Sequence, residues 1–100
     1  MQLVKNRFTD HGLYILDEPE AALSPQRQLS LLYLIDKLAK EGSQFIIATH
    51  SPILISYRDG KILDLNNNFK EVKYKETDIY NLYKMYLDEP DIMQHRLFDD

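Results

Sequence analysis

The chain has no cysteine, which excludes disulfide frameworks, thiol nucleophiles and thiolate metal ligands, and a reducing compartment suits it. Glycine is scarce: Gly12, Gly42 and Gly60 are the only three, and none is followed by Lys-Ser or Lys-Thr. A phosphate-cradling G-x-x-x-x-G-K-[ST] loop is therefore missing from these 100 residues. No apolar run approaches the roughly 18 residues that cross a bilayer, and the N-terminus lacks a signal-like apolar segment. A soluble, cytoplasmic chain is expected. Nor is there a block of Lys and Arg. With a formal charge of -4 the chain offers no phosphate footprint of its own, so contact with nucleic acid is expected only through a larger assembly. No repeat, low-complexity tract or interdomain linker divides the sequence, and residues 1–100 read as one small domain.

What is present centres on Leu13–Ser24, reading L-Y-I-L-D-E-P-E-A-A-L-S. Leu13, Tyr14, Ile15 and Leu16 make an apolar run long enough for a strand buried on both faces. Pro19 cannot donate to a ladder and favours an extended Glu18, so the strand should end at the acidic pair Asp17-Glu18. Two carboxylates then stand at the carboxyl end of a core strand, where open α/β sheets put their ligands. Upstream, Leu3, Val4 and Phe8 could share a helical face, as the last turns of a helix, and Asp10-His11-Gly12 reads as a turn with Gly12 free for positive φ.

Downstream, Ser24 is a good N-cap with Pro25 at the first helical position, and a helix should run from Pro25 to Lys40. Its apolar stripe is Leu29, Leu32, Ile35, Leu38 and Ala39, broadened by Leu31 and Leu34. Lys37 and Lys40 suit its end and Gly42 its termination, whereas Arg27 in the first turn opposes the helix dipole. Gln44–Thr49 is a second buried strand, parallel to the first through this helix, ending at His50-Ser51-Pro52. A short helical turn over 53–57, strands over 61–65 and 70–75, a helix over 78–87 capped by Thr77, and a last helical stretch over 91–98 complete an α/β reading.

The chemistry lies at the two strand ends. A buried Asp there can hold Mg²⁺ beside phosphates, and a second carboxylate can orient or deprotonate an attacking water. A histidine at the end of the neighbouring strand can hydrogen-bond a phosphate oxygen. Each residue alone has a plainer reading: an acidic pair opens a solvated turn, and a lone strand-end histidine is half-buried and satisfied. A Mg²⁺-dependent nuclease or phosphatase using Asp17 and Glu18 is a remoter option that would need a third ligand. Glu20 and Arg27 read as surface residues, and Tyr80, Tyr83 and Tyr86 as packing residues. His11 and His95 have no metal-site partners.

Taken together, Leu13–Ser24 followed by Ala48-Thr49-His50-Ser51-Pro52 closely resembles the C-terminal part of an ABC-type ATPase. It is more similar to the soluble bacterial AAA-family ATPases with an ABC-type head than to a transporter subunit. The resemblance implies a partial P-loop NTPase fold: parallel Walker B and switch strands in a βαβ unit, a small antiparallel end and C-terminal helices. It implies that Asp17 supports Mg²⁺, that Glu18 polarises the hydrolytic water, and that His50 is the switch histidine near the γ-phosphate. Ala22, Leu23 and Ser24 match the D-loop, which crosses the dimer interface as part of the nucleotide site; the family often has Asp where this chain has Ser24.

On this resemblance the chain is the C-terminal fragment of an ATP-hydrolysing head. Met1–Phe8 resembles the end of the helix that leads into Walker B, and no signature loop is present. The expected partners are the missing N-terminal part of the same head and a second copy across the D-loop. The isolated chain is expected to be inactive, to bind neither ATP nor Mg²⁺ tightly, and to expose apolar sheet surface. The alternative is a non-catalytic interaction or dimerisation module that keeps the fold without turnover.

Overall fold

A computed structural model describes the backbone of residues 2–7 and, with side chains, residues 12–99. The turn expected at Asp10-His11 and the side chain of Phe8 lie outside these residues. The chain divides into two compact units, residues 1–58 and 59–100, which are described in turn.

The first unit is built on a three-stranded sheet in the order β1-β2-β3, with β1 at Gln2–Arg7, β2 at Gly12–Asp17 and β3 at Gln44–Ala48. β2 is central. It pairs antiparallel with β1, from Gln2 opposite Asp17 to Arg7 opposite Gly12, and parallel with β3, from Leu13 beside Gln44 to Asp17 beside Ala48. The helix expected before β2 is therefore corrected to a strand. A segment of six residues with neighbouring apolar positions can follow either period, and pairing with β2 satisfies its backbone groups.

Helix α1, Pro25–Lys40, joins β2 to β3. Ser24 Oγ accepts the N–H of Arg27 at 3.2 Å, closing the first turn. The other end is a Schellman motif. Gly42 at φ 102° lets its own N–H reach Ala39 O at 3.0 Å and the N–H of Ser43 reach Leu38 O at 3.0 Å. Gly12, by contrast, has no positive φ. Its lack of a side chain matters because a Cβ there would sit 3.0 Å from the Tyr14 ring.

One face of the sheet is covered and the other is open. Tyr14 and Leu16 are buried, Tyr14 stacks on Phe45 with ring centres 4.8 Å apart, and Ile35 of α1 and Leu54 complete the core. Each fully buried side chain of this size contributes about 1.5–3 kcal/mol. Leu54 opens a 3-10 turn, Leu54–Ser56. On the opposite face Ile15 and its neighbour Ile46 are 40% and 61% exposed, so the expectation of strands buried on both sides is corrected. The helix stripe also shifts. Ile35 is buried with Gln28, Leu31, Leu32 and Leu38 partly covered, whereas Leu29 and Leu34 face solvent.

The second unit starts with an antiparallel pair, β4 at Ile62–Asp64 and β5 at Lys70–Val72, shorter than the expected strands. Helix α2 spans Asp78–Asp88, capped by Thr77 Oγ1 accepting the Tyr80 N–H at 3.1 Å. Helix α3, Pro90–Phe98, follows the break at Glu89. Tyr80 packs edge-on against Tyr74 at 4.8 Å and Tyr86 Oη accepts from Gln94 Nε2 at 3.0 Å, while Tyr83 stays half-exposed. No residue of α2 or α3 is buried: of the tyrosines expected to pack, Tyr80 is half-buried and Tyr83 and Tyr86 are exposed. Among the described residues no helix is long and apolar enough to cross a membrane.

Candidate functional site

The parallel register of β2 and β3 sets Asp17 beside Ala48, so the segments that follow both strands leave the sheet at one edge. Glu18 N–H donates to Ala48 O at 2.7 Å and carries the pairing one residue past β2. Glu18 then departs from the expected extended conformation and takes left-handed angles, φ 46° and ψ 55°. The pre-proline rule disfavours the right-handed helical region, and the left-handed region is the other conformation that turns a chain out of a strand. Buried Pro19 follows at once in a 3-10 turn, Pro19–Ala22. The carboxylate is thus held at the sheet edge by a backbone that side-chain-bearing residues rarely adopt.

Glu18 and His50, 32 positions apart in sequence, meet there: Nδ1 of His50 lies 3.0 Å from Oε1 of Glu18. The His50 side chain is 80% exposed and that of Glu18 54%, so the contact adds little to stability, and its value is geometric. Asp17 stands on the same edge, exposed, and no hydrogen bond or ion pair among the described residues engages its carboxylate. Among those residues no group of three His, Cys, Asp or Glu side chains could enclose a metal ion. That donor set does not fit a metal caged by protein alone. It fits Mg²⁺, which is commonly held by one or two carboxylates with water and phosphate completing the shell.

Two residues that the sequence reading left on the surface or passed over shape this edge. Glu20 accepts Thr49 Oγ1–H through Oε1 at 2.6 Å and the backbone N–H of His50 through Oε2 at 3.0 Å. Burial pushes the Glu20 carboxyl up, but these hydrogen bonds outweigh it and hold the group below its ordinary 4.5. Gln28, on the inward side of α1, receives the Ser51 hydroxyl on Oε1 at 2.5 Å and donates through Nε2 to Leu23 O at 3.2 Å. Ser51 is 3% exposed and accepts the N–H groups of Ile53 and Leu54 on Oγ, each at 3.1 Å. The segment over 22–24 is therefore tied to the loop after β3. Ala22 and Ser24 are exposed, Leu23 is half-buried, and the Arg27 side chain points to solvent. Ser51-Pro52 and the heptad spacing of Gln28 with Ile35 are the sequence signals for this network, and neither is distinctive alone.

A family model described as "AAA domain, putative AbiEii toxin, Type IV TA system" matches residues 6–56, which contain the whole of this edge. The energy-coupling factor transporter ATP-binding protein EcfA2 of Mesomycoplasma hyopneumoniae is 36% identical over 62 residues, 54% of this chain and 21% of that protein. ABC transporter I family member 1 of Arabidopsis thaliana is 38% identical over 69 residues, 69% of this chain and 29% of the relative. A "putative ABC transporter ATP-binding protein" of Pyrococcus furiosus is 31% identical over 85 residues, 80% of this chain and 32% of the relative. The chain thus matches less than a third of the length of each of these relatives. No solved structure matches it.

Proposed function

The chain belongs to the AAA domain family of ABC-type P-loop ATPases, and on that premise we propose that it supplies the hydrolytic edge of an ATP site whose lysine-bearing phosphate loop comes from another segment. In this reading β2 is the Walker B strand and β3 the switch strand. Asp17 holds Mg²⁺, directly or through water, and the ion when bound neutralises charge on the phosphate oxygens. Glu18 orients the attacking water and takes its proton. With Nδ1 turned to Glu18, His50 has Nε2 left, and in the imidazolium form, where both ring nitrogens carry protons, Nε2–H donates to a phosphate oxygen. Ala22, Leu23 and Ser24 form the D-loop that meets a second head. Ser24, where the family often has Asp, serves the fold as the α1 cap. The working unit is a homodimer on the cytoplasmic side, and any nucleic acid is met by other parts of the assembly.

The observation that most supports this reading is the 3.0 Å contact of Glu18 with His50 at the edge that also carries Asp17. The test supplies the missing loop. A polypeptide bearing a G-x-x-x-x-G-K-[ST] strand, loop and helix is added to the isotope-labelled chain with ATP, and Mn²⁺ replaces Mg²⁺. Paramagnetic broadening is expected first at residues 17–24 and 49–51. Broadening centred on Asp64, Glu71 or Asp88 would defeat the reading. Broadening at the expected edge without phosphate release would identify the dimerisation module instead.

A further inference from the structure

Glu20 has no part in the chemistry proposed above, yet it spans the two edge segments with both oxygens. One accepts the Thr49 hydroxyl at 2.6 Å and the other the His50 amide at 3.0 Å. Thr49 Oγ1 also accepts the Ser51 N–H at 3.0 Å, so three consecutive residues after β3 are fixed through one carboxylate and one hydroxyl. Both groups facing Glu20 donate, which calls for a side chain with two acceptors. A carboxylate of this length meets that need. Asp would fall one methylene short, and Gln offers one acceptor and turns a donor to the other side. Buried Pro19 immediately before Glu20 fixes where its side chain starts.

We infer that Glu20 is a positioning residue for His50: by holding the histidine's backbone it keeps Nδ1 against Glu18 and leaves Nε2 as the ring's open nitrogen. This rests on the reading of His50 as the nucleotide-facing histidine, but its consequence appears in the chain alone. An ionised carboxylate only accepts, so the nitrogen facing Glu18 carries the proton. In the neutral ring the lone pair is then on Nε2, the reverse of the tautomer that a free histidine side chain favours, and Nε2 donates to a phosphate oxygen only once the ring is protonated.

The experiment is ¹⁵N NMR of the full chain with the imidazole neutral, reading the ring tautomer and the exchange rate of the His50 amide. The wild type is expected to hold the Nδ1–H form. Glu20→Ala should move His50 to the Nε2–H form and speed amide exchange about tenfold, the value of one charge-assisted hydrogen bond. Glu20→Asp keeps the charge and loses the reach, and should behave as Glu20→Ala. Glu20→Gln, which keeps one acceptor, should restore most of the amide protection. Glu18→Gln should alter the ring and leave the amide protected. Wild-type tautomer and exchange in Glu20→Ala or Glu20→Asp would overturn the inference without touching the ATPase reading. Failure of the wild-type assembly to bind or turn over ATP would remove that reading and leave these spectra as they are.

Discussion

Glu18 stands at φ 46° because strand pairing to Ala48 and the rigid ring of Pro19 leave the chain little else. A left-handed residue with a side chain costs about 1–2 kcal/mol, and here the strain sits on the residue proposed to activate water. Two positions on, Glu20 gives the edge a pH dependence. Its folded carboxyl titrates below the ordinary 4.5 because Thr49 and His50 donate to the charged form. Such a group stabilises the fold above that value, and the increment is lost as pH falls through the lower folded value. Glu20→Gln should therefore lower stability by about 1 kcal/mol at neutral pH. Urea midpoints should show that gap closing well below pH 4.5. A gap that is constant with pH would mean that the Glu20 charge does not matter. That Glu18 and His50 stand at the ends of neighbouring strands was legible in the sequence, because each follows an apolar run that a proline closes, whereas their direct contact was not. Glu20 was not legible, since no local pattern tells which of several acidic residues will meet a loop 29 positions away.

Helix α1 is the element whose bounds the sequence states best. Ser24-Pro25 and Gly42 are local signals that need no tertiary context, and the helix runs between them as expected. Its buried side was less legible. Seven apolar residues allow two adjacent stripes, and packing on β3 selects the one that turns Gln28, Leu31 and Ile35 inward. β1 failed as an expectation for a related reason. Its identity comes from the ladder with β2, which is non-local, whereas Leu3 and Val4 suit either period. The Schellman end predicts that Gly42→Ala destabilises by about 1 kcal/mol, because an alanine must hold φ 102°. Thermal melts that match the wild type would show that the helix end does not depend on that conformation.

At the scale of the whole molecule, two features go together. The sequence has no phosphate-cradling loop, and the sheet that carries the proposed edge shows solvent a face bearing Ile15 and Ile46. An apolar face of this kind drives association. Sedimentation of the purified chain should give a weight-average mass that rises with concentration, and Ile46→Lys should reduce that rise. A constant monomer mass up to high concentration would contradict this account of the open face. The convergence of Asp17, Glu18 and His50 remains the claim on which the proposed activity stands. Its most direct test is phosphate release from Mg·ATP by the chain alone and by the chain mixed with the loop-bearing polypeptide. No release is expected alone, and release with the polypeptide is expected to fall at least about a hundredfold in Glu18→Gln, as when a general base is removed. Turnover by the chain alone, or release that survives Glu18→Gln, would contradict it.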